Sequence, residues 1–273
     1  MVESLPDWAP EGTDPSTPSV ARVYDYYLGG THHFEVDREL GRQLLALTPD
    51  VASAVRANRA FLHRAVRYLV AQGVRQFIDI GSGIPSVGNV HETAQRQAPG
   101  CRVLYVDHDP VAVAQSERML RGNPDVQVLQ GDLRSPEKVL ASADLIDFSQ
   151  PVALLLVAVL HFIGEDERPT ELIRQYRDRL PPGSYLAISH VTDDDPHPAA
   201  EKITNLYASS AIPVTLRSRA QIADLFDGWD LVEPGVTWVS EWHPDEAVQG
   251  VTDPQSTSVI AAVGRLSAGS GIT

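Results

Sequence analysis

After Gly73 the sequence alternates between short apolar runs and stretches with helical spacing, and this alternation constrains the fold more than any other feature. The apolar runs are Gln76–Ile80, Arg102–Val106, Val126–Leu129, Val152–Val157 and Tyr185–Ser189. Helical patterns lie between them near Ser86–Gln97, Pro110–Leu120 and Asp166–Leu180. Apolar runs that alternate with helices predict a parallel, doubly wound α/β sheet covered on both faces.

Three segments with helical spacing precede this alternation. They cover about Pro18 to Gly29, Phe34–Leu47 and Asp50–Gln72. Proline suits the first turn of a helix and glycine suits its end, which sets the bounds of the first segment. We expect these helices to form an N-terminal cap on the sheet.

The C-terminal part completes the predicted sheet. A linker, Asp193–Pro198, leads to helices near Ala199–Ser209 and Ser218–Phe226. The apolar stretches Leu231–Trp238 and Thr257–Val263 are then expected to be the last two strands, paired as an antiparallel hairpin at one edge. Together with the earlier runs they predict a seven-stranded, mostly parallel, Rossmann-like sheet.

These elements define the expected domain organisation. Residues 1–17 are acidic and rich in proline, serine and threonine, and are predicted to form a disordered arm. Residues 18–273 are predicted to form one domain, a size that a single α/β domain can reach. Within it we expect residues 18–73 to be the cap, 74–190 the ligand-binding core and 191–273 the closing helices and strands.

Composition argues against several classes of protein. The formal net charge is -14 and the chain has only two lysines, whereas a nucleic-acid binder is expected to carry a basic patch. Cys101 is the sole cysteine, so neither an internal disulfide nor a cysteine-based zinc site is expected. The N-terminus lacks the segments of a signal peptide, and the apolar run Pro151–Ile163 is too short to span a membrane. We therefore expect a cytoplasmic protein that binds neither nucleic acid nor membranes.

A carboxylate and two glycines follow the first predicted strand. Asp79, Gly81 and Gly83 stand at alternate positions directly after its apolar residues. Glycines let the backbone approach a ligand closely, because no Cβ intervenes. A carboxylate at this place repels a pyrophosphate and attracts a positively charged amino-acid group. S-adenosylmethionine (SAM), which carries an α-ammonium, a sulfonium and a ribose, is the cofactor that fits best.

Two further carboxylates follow the next predicted strands. Asp107 ends the second strand, where it can accept hydrogen bonds from both ribose hydroxyls, and Asp132 follows the third, where it can accept one from the adenine amine. Each carboxylate alone could be an ordinary helix cap, so the prediction rests on their order along consecutive units. Because open α/β sheets bind ligands at the carboxyl ends of their strands, we expect the neighbours Ser82, His108 and Leu133 in the same cofactor site.

A nicotinamide dinucleotide is the main alternative cofactor. Its fingerprint needs Gly-x-Gly-x-x-Gly, and Ser86 stands where the third glycine is required. Neither lysine has a tyrosine four residues before it, and the Gly-Lys-Ser/Thr of a P-loop does not occur. The sequence therefore favours SAM.

The chain also resembles a known family in blocks outside these common motifs. The first block is Ala21–Gly30, followed by Phe34 and Asp37, and the second is Val55–Phe61. From about Pro18 to Arg265 the sequence resembles the actinobacterial SAM-dependent methyltransferase family that was first catalogued as a domain of unknown function.

This resemblance implies a class I methyltransferase fold and a SAM site. The residues it implicates in SAM binding are Asp79, Gly81, Gly83, Asp107 and Asp132. It implies no particular methyl acceptor. His33 departs from the family pattern, in which members tend to carry asparagine before the aromatic residue.

The predicted cap offers further contacts for the cofactor. Arg22 and Tyr26 lie four residues apart and share one face of the first helix, and Asn58 and Arg59 lie on the third. A guanidinium fits the methionine carboxylate of SAM as a bidentate donor. We expect Arg22, Tyr26 and Asn58 to contact the cofactor, and Arg22→Ala to weaken SAM binding.

A general base assists methyl transfer when the acceptor is a hydroxyl or a protonated amine. His161 and His190 follow the fourth and fifth strands, and His33 follows the glycine hinge of the cap, so these are candidate bases. The sequence shows no spacing typical of a metal site, and no metal is expected. The fourth strand lacks the Asn/Asp-Pro-Pro-aromatic ending of enzymes that methylate planar nitrogens, which favours a small-molecule acceptor.

The sequence therefore predicts a SAM-dependent methyltransferase that acts on an oxygen or nitrogen atom of a small molecule. A regulatory protein that binds SAM or S-adenosylhomocysteine without turnover stays open, because no candidate base is unambiguous. An NAD-dependent oxidoreductase is disfavoured by the missing third glycine. The acceptor and the oligomeric state are not predicted.

Overall fold

One β-sheet forms the central layer of the protein. The computed structural model describes residues 5–85, 88–194, 200–210, 212–245 and 253–267. Within these residues the sheet has eight strands. They are β1 (Gln76–Ile80), β2 (Arg102–Asp107), β3 (Val126–Gln130), β4 (Ala153–Val157), β5 (Tyr185–Val191), β6 (Asp230–Leu231), β7 (Thr237–Trp238) and β8 (Val259–Arg265).

The strand order places the ends of the early strands side by side. It is β3-β2-β1-β4-β5-β8-β6, with β7 also paired to β8. Strands β1 to β5 run parallel to their neighbours, and β8 runs antiparallel to β5. The order reverses between β1 and β4, which is where open α/β sheets bind ligands. The mostly parallel, doubly wound sheet expected from the sequence is confirmed.

The expected count of seven strands is wrong by one. The stretch Leu231–Trp238 contributes to two short strands, β6 and β7, which pair with different parts of β8. Between them Pro234 lacks the N–H that a ladder needs, and Gly235 has a φ of +80°, outside the range of a strand. The Gly235 N–H donates to Val232 O at 2.8 Å, so the chain turns there before it pairs with β8 again.

Nine α-helices surround the sheet in the described part of the chain. They are α1 (Val20–Tyr27), α2 (Glu35–Leu47), α3 (Val51–Ala71), α4 (Val90–Gln97), α5 (Pro110–Met119), α6 (Pro136–Ala141), α7 (Pro169–Arg177), α8 (Ala200–Ser209) and α9 (Arg219–Asp224). The predicted helices agree with these bounds to within a few residues, except that α6 has no predicted counterpart. Part of the helix expected at Ser86–Gln97 and most of the linker Asp193–Pro198 lie outside the described residues.

Helix α3 belongs to the layer that packs on the sheet. An α-helix places every third or fourth residue on one face, and Phe61, Ala65 and Leu69 form such a row, fully buried against the strands. Trp242 packs edge-on against Phe61 in the same cluster. The third predicted helix is therefore part of the main core, although its position in the sequence suggested the cap.

The cap of the structure consists of α1 and α2 together with α8. Val23 and Leu44 form an apolar cluster with Ile203 and Tyr207 of α8. The sequence placed α8 among the closing elements, because a pattern shows which face of a helix is apolar but not which element covers it.

Part of the expected disordered arm, around Trp8, packs on the domain, whereas residues 1–4 lie outside the described residues. Trp8 packs on Phe34 with ring centroids 4.8 Å apart. The carbonyl oxygen of Trp8 also accepts a hydrogen bond from Gln115 Nε2 at 2.6 Å. The large apolar surface of one indole ring accounts for this docking, which a polar average composition conceals.

Candidate active site

A cavity opens at the carboxyl ends of β1, β2, β3 and β4. Its volume is about 380 Å³, within the range of about 300–1,000 Å³ that is common for ligand sites. The loops after the strands line it on one side, and they bring Asp79, Asp107 and Asp132 to the same space. Tyr24 of α1 and Arg59 of α3 line it as well. We call this cavity the polar chamber.

The loop after β1 turns sharply beside the polar chamber. Gly81 and Gly83 have φ angles of +73° and +68°, a region that glycine adopts at little cost. A Cβ on Gly81 would lie 2.5 Å from Val159 Cγ2, whereas a Cβ on Gly83 would meet no described atom within 4 Å. Sterics and backbone conformation both require glycine at the first position, and backbone conformation alone requires it at the second.

We expect Gly81→Ala to destabilise the fold more than Gly83→Ala. Both substitutions incur the cost of a positive φ, about 1–2 kcal/mol, and only the first adds a clash with Val159, about 1–3 kcal/mol more. Urea unfolding of the two variants measures the difference. An equal loss of stability would contradict the steric argument.

Asp107 ends β2 beneath this glycine turn. Its Oδ2 accepts a hydrogen bond from the Gly83 N–H at 2.7 Å, and its Oδ1 accepts one from the Asp109 N–H at 2.9 Å. Burial raises the pKa of Asp107, and the two hydrogen bonds act in the opposite direction. The next residue, His108, lines the chamber with a side chain that is 72% exposed. Asp107 thus holds the glycine turn in place through the hydrogen bond from the Gly83 N–H.

The loop after β3 is held by hydrogen bonds to its backbone and by the side chain of Arg134. The Arg134 N–H donates to Asp132 Oδ1 at 2.9 Å, and Leu133 O accepts a hydrogen bond from the Tyr176 hydroxyl at 3.1 Å. Arg134 Nη2 donates to Phe162 O at 3.1 Å, which connects this loop to the one after β4. Asp132 keeps a half-exposed carboxylate at the chamber.

Asp79 is a buried carboxylate at the end of β1. Burial raises its pKa to about 7, and this effect outweighs the attraction of Arg59, which lowers the pKa. The neighbouring carboxylate of Asp107 raises it further. Near neutral pH the group is therefore close to its titration midpoint, a state typical of functional sites and responsive to a bound cation.

The raised pKa of Asp79 predicts that the protein becomes less stable as the pH rises from about 4 to about 7. Because folding favours the protonated form, the contribution to the free energy of unfolding is full below about pH 4 and is lost as the pH rises to about 7. The difference from the ordinary value of 3.8 corresponds to about 4 kcal/mol. Urea unfolding of the wild type and Asp79→Asn between pH 4 and pH 8 isolates this group. An identical pH profile in both proteins would contradict the prediction.

Two predicted cofactor contacts lie away from the polar chamber. Arg22 is buried, and its Nε donates to Asp37 Oδ2 at 2.8 Å. Asp37 also accepts a hydrogen bond from the Ser19 N–H at 2.9 Å, so the ion pair joins α1 to α2. Tyr26 packs against the His33 ring with centroids 5.4 Å apart. Arg22→Ala is therefore expected to loosen the packing of α1 on α2, and the structure gives no support for a direct contact with SAM.

Tyr24 and Asn58 line the chamber and belong to one chain of hydrogen bonds. Asn58 Nδ2 donates to the Tyr24 hydroxyl at 3.1 Å, and Ser189 Oγ donates to Asn58 Oδ1 at 2.5 Å. The Ala158 N–H donates to Ser189 Oγ at 2.9 Å. This chain of hydrogen bonds connects α1 and α3 with β5 and with the end of β4. Asn58 lies at the cavity, and its amide holds this wall in place.

A second cavity of about 190 Å³ adjoins the polar chamber beneath the cap. Its lining is largely aliphatic and aromatic and comes mainly from α1, α2, α3, α8 and the loop after β4. We call it the apolar chamber. The residues that line both cavities are Val20, Tyr24, Asn58, Ala158, Phe162 and Ile212. The two chambers therefore meet at the carboxyl end of β4.

The described residues contain no group of three or more His, Cys, Asp or Glu side chains placed to hold a metal ion. None of the helices seen in the structure combines the length and the apolar character that a membrane span requires.

The sequence family described as S-adenosyl methyltransferase matches residues 6–267. The chain belongs to this family. Its cofactor is SAM and its reaction is methyl transfer. The family resemblance inferred from the two sequence blocks of the N-terminal region is confirmed. A search of curated proteins finds no match.

Solved structures support the same assignment. A candidate methyltransferase from Thermobifida fusca YX is 38% identical, with 96% of this chain and 100% of that chain covered and a TM-score of 0.90. A DUF574 family protein from Streptomyces avermitilis is 35% identical, with coverages of 92% and 98% and a TM-score of 0.88. An O-methyltransferase family protein from Burkholderia thailandensis shares the fold at 17% identity, with coverages of 81% and 61% and a TM-score of 0.52.

Two histidines predicted as bases of the methyltransferase are held at both ring nitrogens. His33 Nε2 donates to Gly30 O at 3.0 Å, and its Nδ1 accepts a hydrogen bond from Arg38 at 3.1 Å. His190 Nδ1 donates to the carbonyl of the next residue at 2.6 Å, and its Nε2 accepts one from Arg217 at 2.7 Å. Burial lowers the pKa of His190 to about 4. Both rings thus make structural hydrogen bonds, and neither His33 nor His190 lines the polar or the apolar chamber.

His161 has a different environment from the other two candidates. It lies in the short 3-10 turn Leu160–Phe162 after β4, and it is one of the residues that line the apolar chamber. Within the described residues its Nδ1 is buried with no hydrogen-bond partner. Burial lowers the pKa of His161 well below its usual value, and His190 and Arg217 act in the same direction. The methyltransferase therefore has a neutral imidazole next to this cavity.

Arg217 fixes the turn that carries His161. Its Nη1 donates to Leu160 O at 3.0 Å and its Nη2 donates to Ile163 O at 2.8 Å. Its Nε pairs with Glu165 Oε1 at 2.7 Å. A planar guanidinium can bind several acceptors at once in a fixed geometry, and here it holds the carbonyls on both sides of the histidine.

Proposed function

We propose that this methyltransferase methylates an oxygen or nitrogen atom of a small molecule that occupies the apolar chamber. The observation that carries the proposal is the pair of adjoining cavities, one lined by carboxylates and the other by apolar side chains. Helices α1, α2 and α8 cover the apolar chamber, and its volume of about 190 Å³ suits a small acceptor better than a segment of a macromolecule.

The polar chamber fits SAM in charge and in size. Asp107 would accept hydrogen bonds from the ribose hydroxyls, and Asp79 would meet the α-ammonium group. Arg59 also lines the chamber, so it replaces Arg22 as the side chain proposed to meet the methionine carboxylate. When bound, SAM supplies a methyl group on a positively charged sulfur, which a positioned nucleophile displaces in line.

The adenine end of the cofactor would lie at the loop after β3. Asp132 is half-exposed there, and its free carboxylate oxygen can accept a hydrogen bond from the adenine amine. Leu133 lines the same space and offers an apolar contact to the ring. Gly81, Ser82 and Gly83 would contact the cofactor through their backbone, since the turn has no bulky side chain.

The wall between the chambers is proposed to align the two substrates. Tyr24, Asn58 and Ala158 lie in this wall, and each is held by the hydrogen-bond chain through Ser189. A fixed wall keeps the reacting atoms near attack distance, and a small misplacement of such groups costs a large factor in rate. The apolar lining on the acceptor side also excludes water from the reacting centre.

Calorimetric titration of the purified protein with SAM and with NAD tests the proposal. SAM is expected to bind and to raise the melting temperature, because a ligand that binds only the native state stabilises it, and NAD is expected to do neither. Incubation with metabolite extracts and methyl-labelled SAM then tests turnover. Absence of SAM binding would refute the proposal, and tight SAM binding without any labelled product would favour a regulatory role.

A further inference from the structure

The lining of the apolar chamber disfavours charged acceptors. Among the described residues that line it, Asp50 is the only one with a permanent charge, and it is exposed. The same set contains no arginine or lysine that could pair with a carboxylate or a phosphate. An anion would therefore lose its hydration without gaining a partner of opposite charge, and a cation would find only the exposed carboxylate of Asp50.

The size and shape of the chamber favour a single ring. Aromatic side chains from three elements line it, namely Tyr24 and Tyr27 of α1, Phe162 after β4 and Tyr207 of α8. A dry cavity of about 150 Å³ with an aliphatic and aromatic lining is known to hold benzene. A cavity of about 190 Å³ has room for one such ring with small substituents.

One residue that lines the chamber, His161, has a buried ring nitrogen that lacks a partner. In the described structure Nδ1 of His161 makes no hydrogen bond, although buried polar atoms nearly always make one. Burial keeps the imidazole neutral by lowering its pKa, so its unprotonated nitrogen can accept a hydrogen bond. Burial also raises the pKa of Tyr207 to about 12, so that phenol stays protonated and is a poor proton acceptor. Of these two titratable side chains, His161 is therefore the one suited to accept a hydrogen bond from an O–H donor.

We propose that the acceptor is a neutral phenol of about one ring, whose hydroxyl donates a hydrogen bond to the His161 imidazole. This inference rests on the proposed function, because it names the class of molecule taken by the second chamber. During transfer the phenol oxygen forms a bond to the methyl carbon as the carbon–sulfur bond breaks. The bonding pair stays on the sulfur as a neutral thioether, and the phenolic proton passes to the imidazole nitrogen.

Binding of 4-methylphenol to the full chain tests the acceptor class without turnover. The charged analogues 4-methylbenzoate and 4-methylbenzylamine have a similar size and serve as comparisons. In calorimetric titrations with S-adenosylhomocysteine present, 4-methylphenol is expected to bind at least about tenfold more tightly than either analogue. Equal affinity of a charged analogue, or no binding of 4-methylphenol, would overturn the proposal.

His161→Phe tests the histidine itself. The substitution keeps an aromatic ring and removes both nitrogens, so we expect about a tenfold loss of 4-methylphenol affinity with SAM affinity retained. His243→Phe is the matched control, because His243 is exposed and lines neither chamber. Unchanged 4-methylphenol affinity in folded His161→Phe would refute the role of the histidine.

Two measurements keep the test decisive if His161→Phe does not fold. In the wild type, the imidazole nitrogen resonances of His161 should shift when 4-methylphenol is added, and an unperturbed signal would refute the contact. Ala54→Phe fills the chamber from α3 without changing the histidine, and it should block 4-methylphenol while SAM still binds. SAM affinity is measured on the same samples to separate the phenol proposal from the proposed function. If the wild type did not bind SAM, the proposed function itself would be refuted.

Discussion

Asp107→Ala is expected to lower the affinity for SAM by about 100-fold or more. A carboxylate that accepts two ribose hydroxyls makes two charge-assisted hydrogen bonds, each worth about 1.5–3 kcal/mol. The same carboxylate also accepts the N–H groups of Gly83 and Asp109, so its removal releases the glycine turn from below. The substitution removes both the contact with the ribose and the hydrogen bonds that hold the glycine turn. It therefore has the largest expected effect on cofactor binding.

Calorimetric titration of three variants separates these contributions. Asp107→Asn keeps one acceptor oxygen without the charge and should lose less affinity than Asp107→Ala. Asp144→Ala removes an exposed carboxylate that lines neither chamber, and its SAM affinity should equal that of the wild type. Circular dichroism checks that each variant is folded. SAM affinity in Asp107→Ala within about threefold of the wild type would contradict the assignment of the ribose site.

The polar chamber could be predicted because it depends on where parallel strands end. Each apolar run marks a buried strand, and the first polar residue after it marks the carboxyl end to within a residue or two. Parallel pairing then aligns these ends, as the register of Asp79 with Tyr105 and of Asp107 with Gln130 shows. No knowledge of helix packing was needed to bring the carboxylates together.

The cap could not be predicted in the same way. Residues Arg22 and Tyr26 share one face of α1, and Val20 and Tyr24 share another, as helical spacing requires. Local pattern does not reveal which face turns toward the sheet. The buried pair of Arg22 with Asp37 and the apolar cluster with α8 settle this, and both depend on contacts between distant segments.

The roles of the histidines also depend on contacts between distant segments, so the sequence could not predict them. His190 was a plausible base by position, at the end of a central strand, and it became a structural residue because Arg217 binds its Nε2. That partner comes from a segment beyond α8 and follows no recognisable motif. His161 is distinguished by the lack of a partner for Nδ1 within the described structure, which a sequence cannot show.

Arg217→Met is expected to lower the free energy of unfolding by about 3–5 kcal/mol. The guanidinium is almost completely buried, and its loss leaves Ile163 O and His190 Nε2 without a donor in the described structure, while Leu160 O keeps only the Ile163 N–H. Each buried acceptor left without a donor costs about 1–3 kcal/mol, and methionine fills much of the volume without donating a hydrogen bond. Urea unfolding measures the loss.

Two control variants show which interaction of Arg217 accounts for the loss of stability in Arg217→Met. Glu165→Gln removes the charge that pairs with its Nε, and since the Glu165 side chain is 65% exposed, a loss of at most about 1 kcal/mol is expected. Arg219→Met removes a more exposed arginine of the same segment and should cost a similar amount. If Glu165→Gln destabilised the protein as much as Arg217→Met, the ion pair and not the hydrogen bonds to the buried acceptors would hold the turn that carries His161.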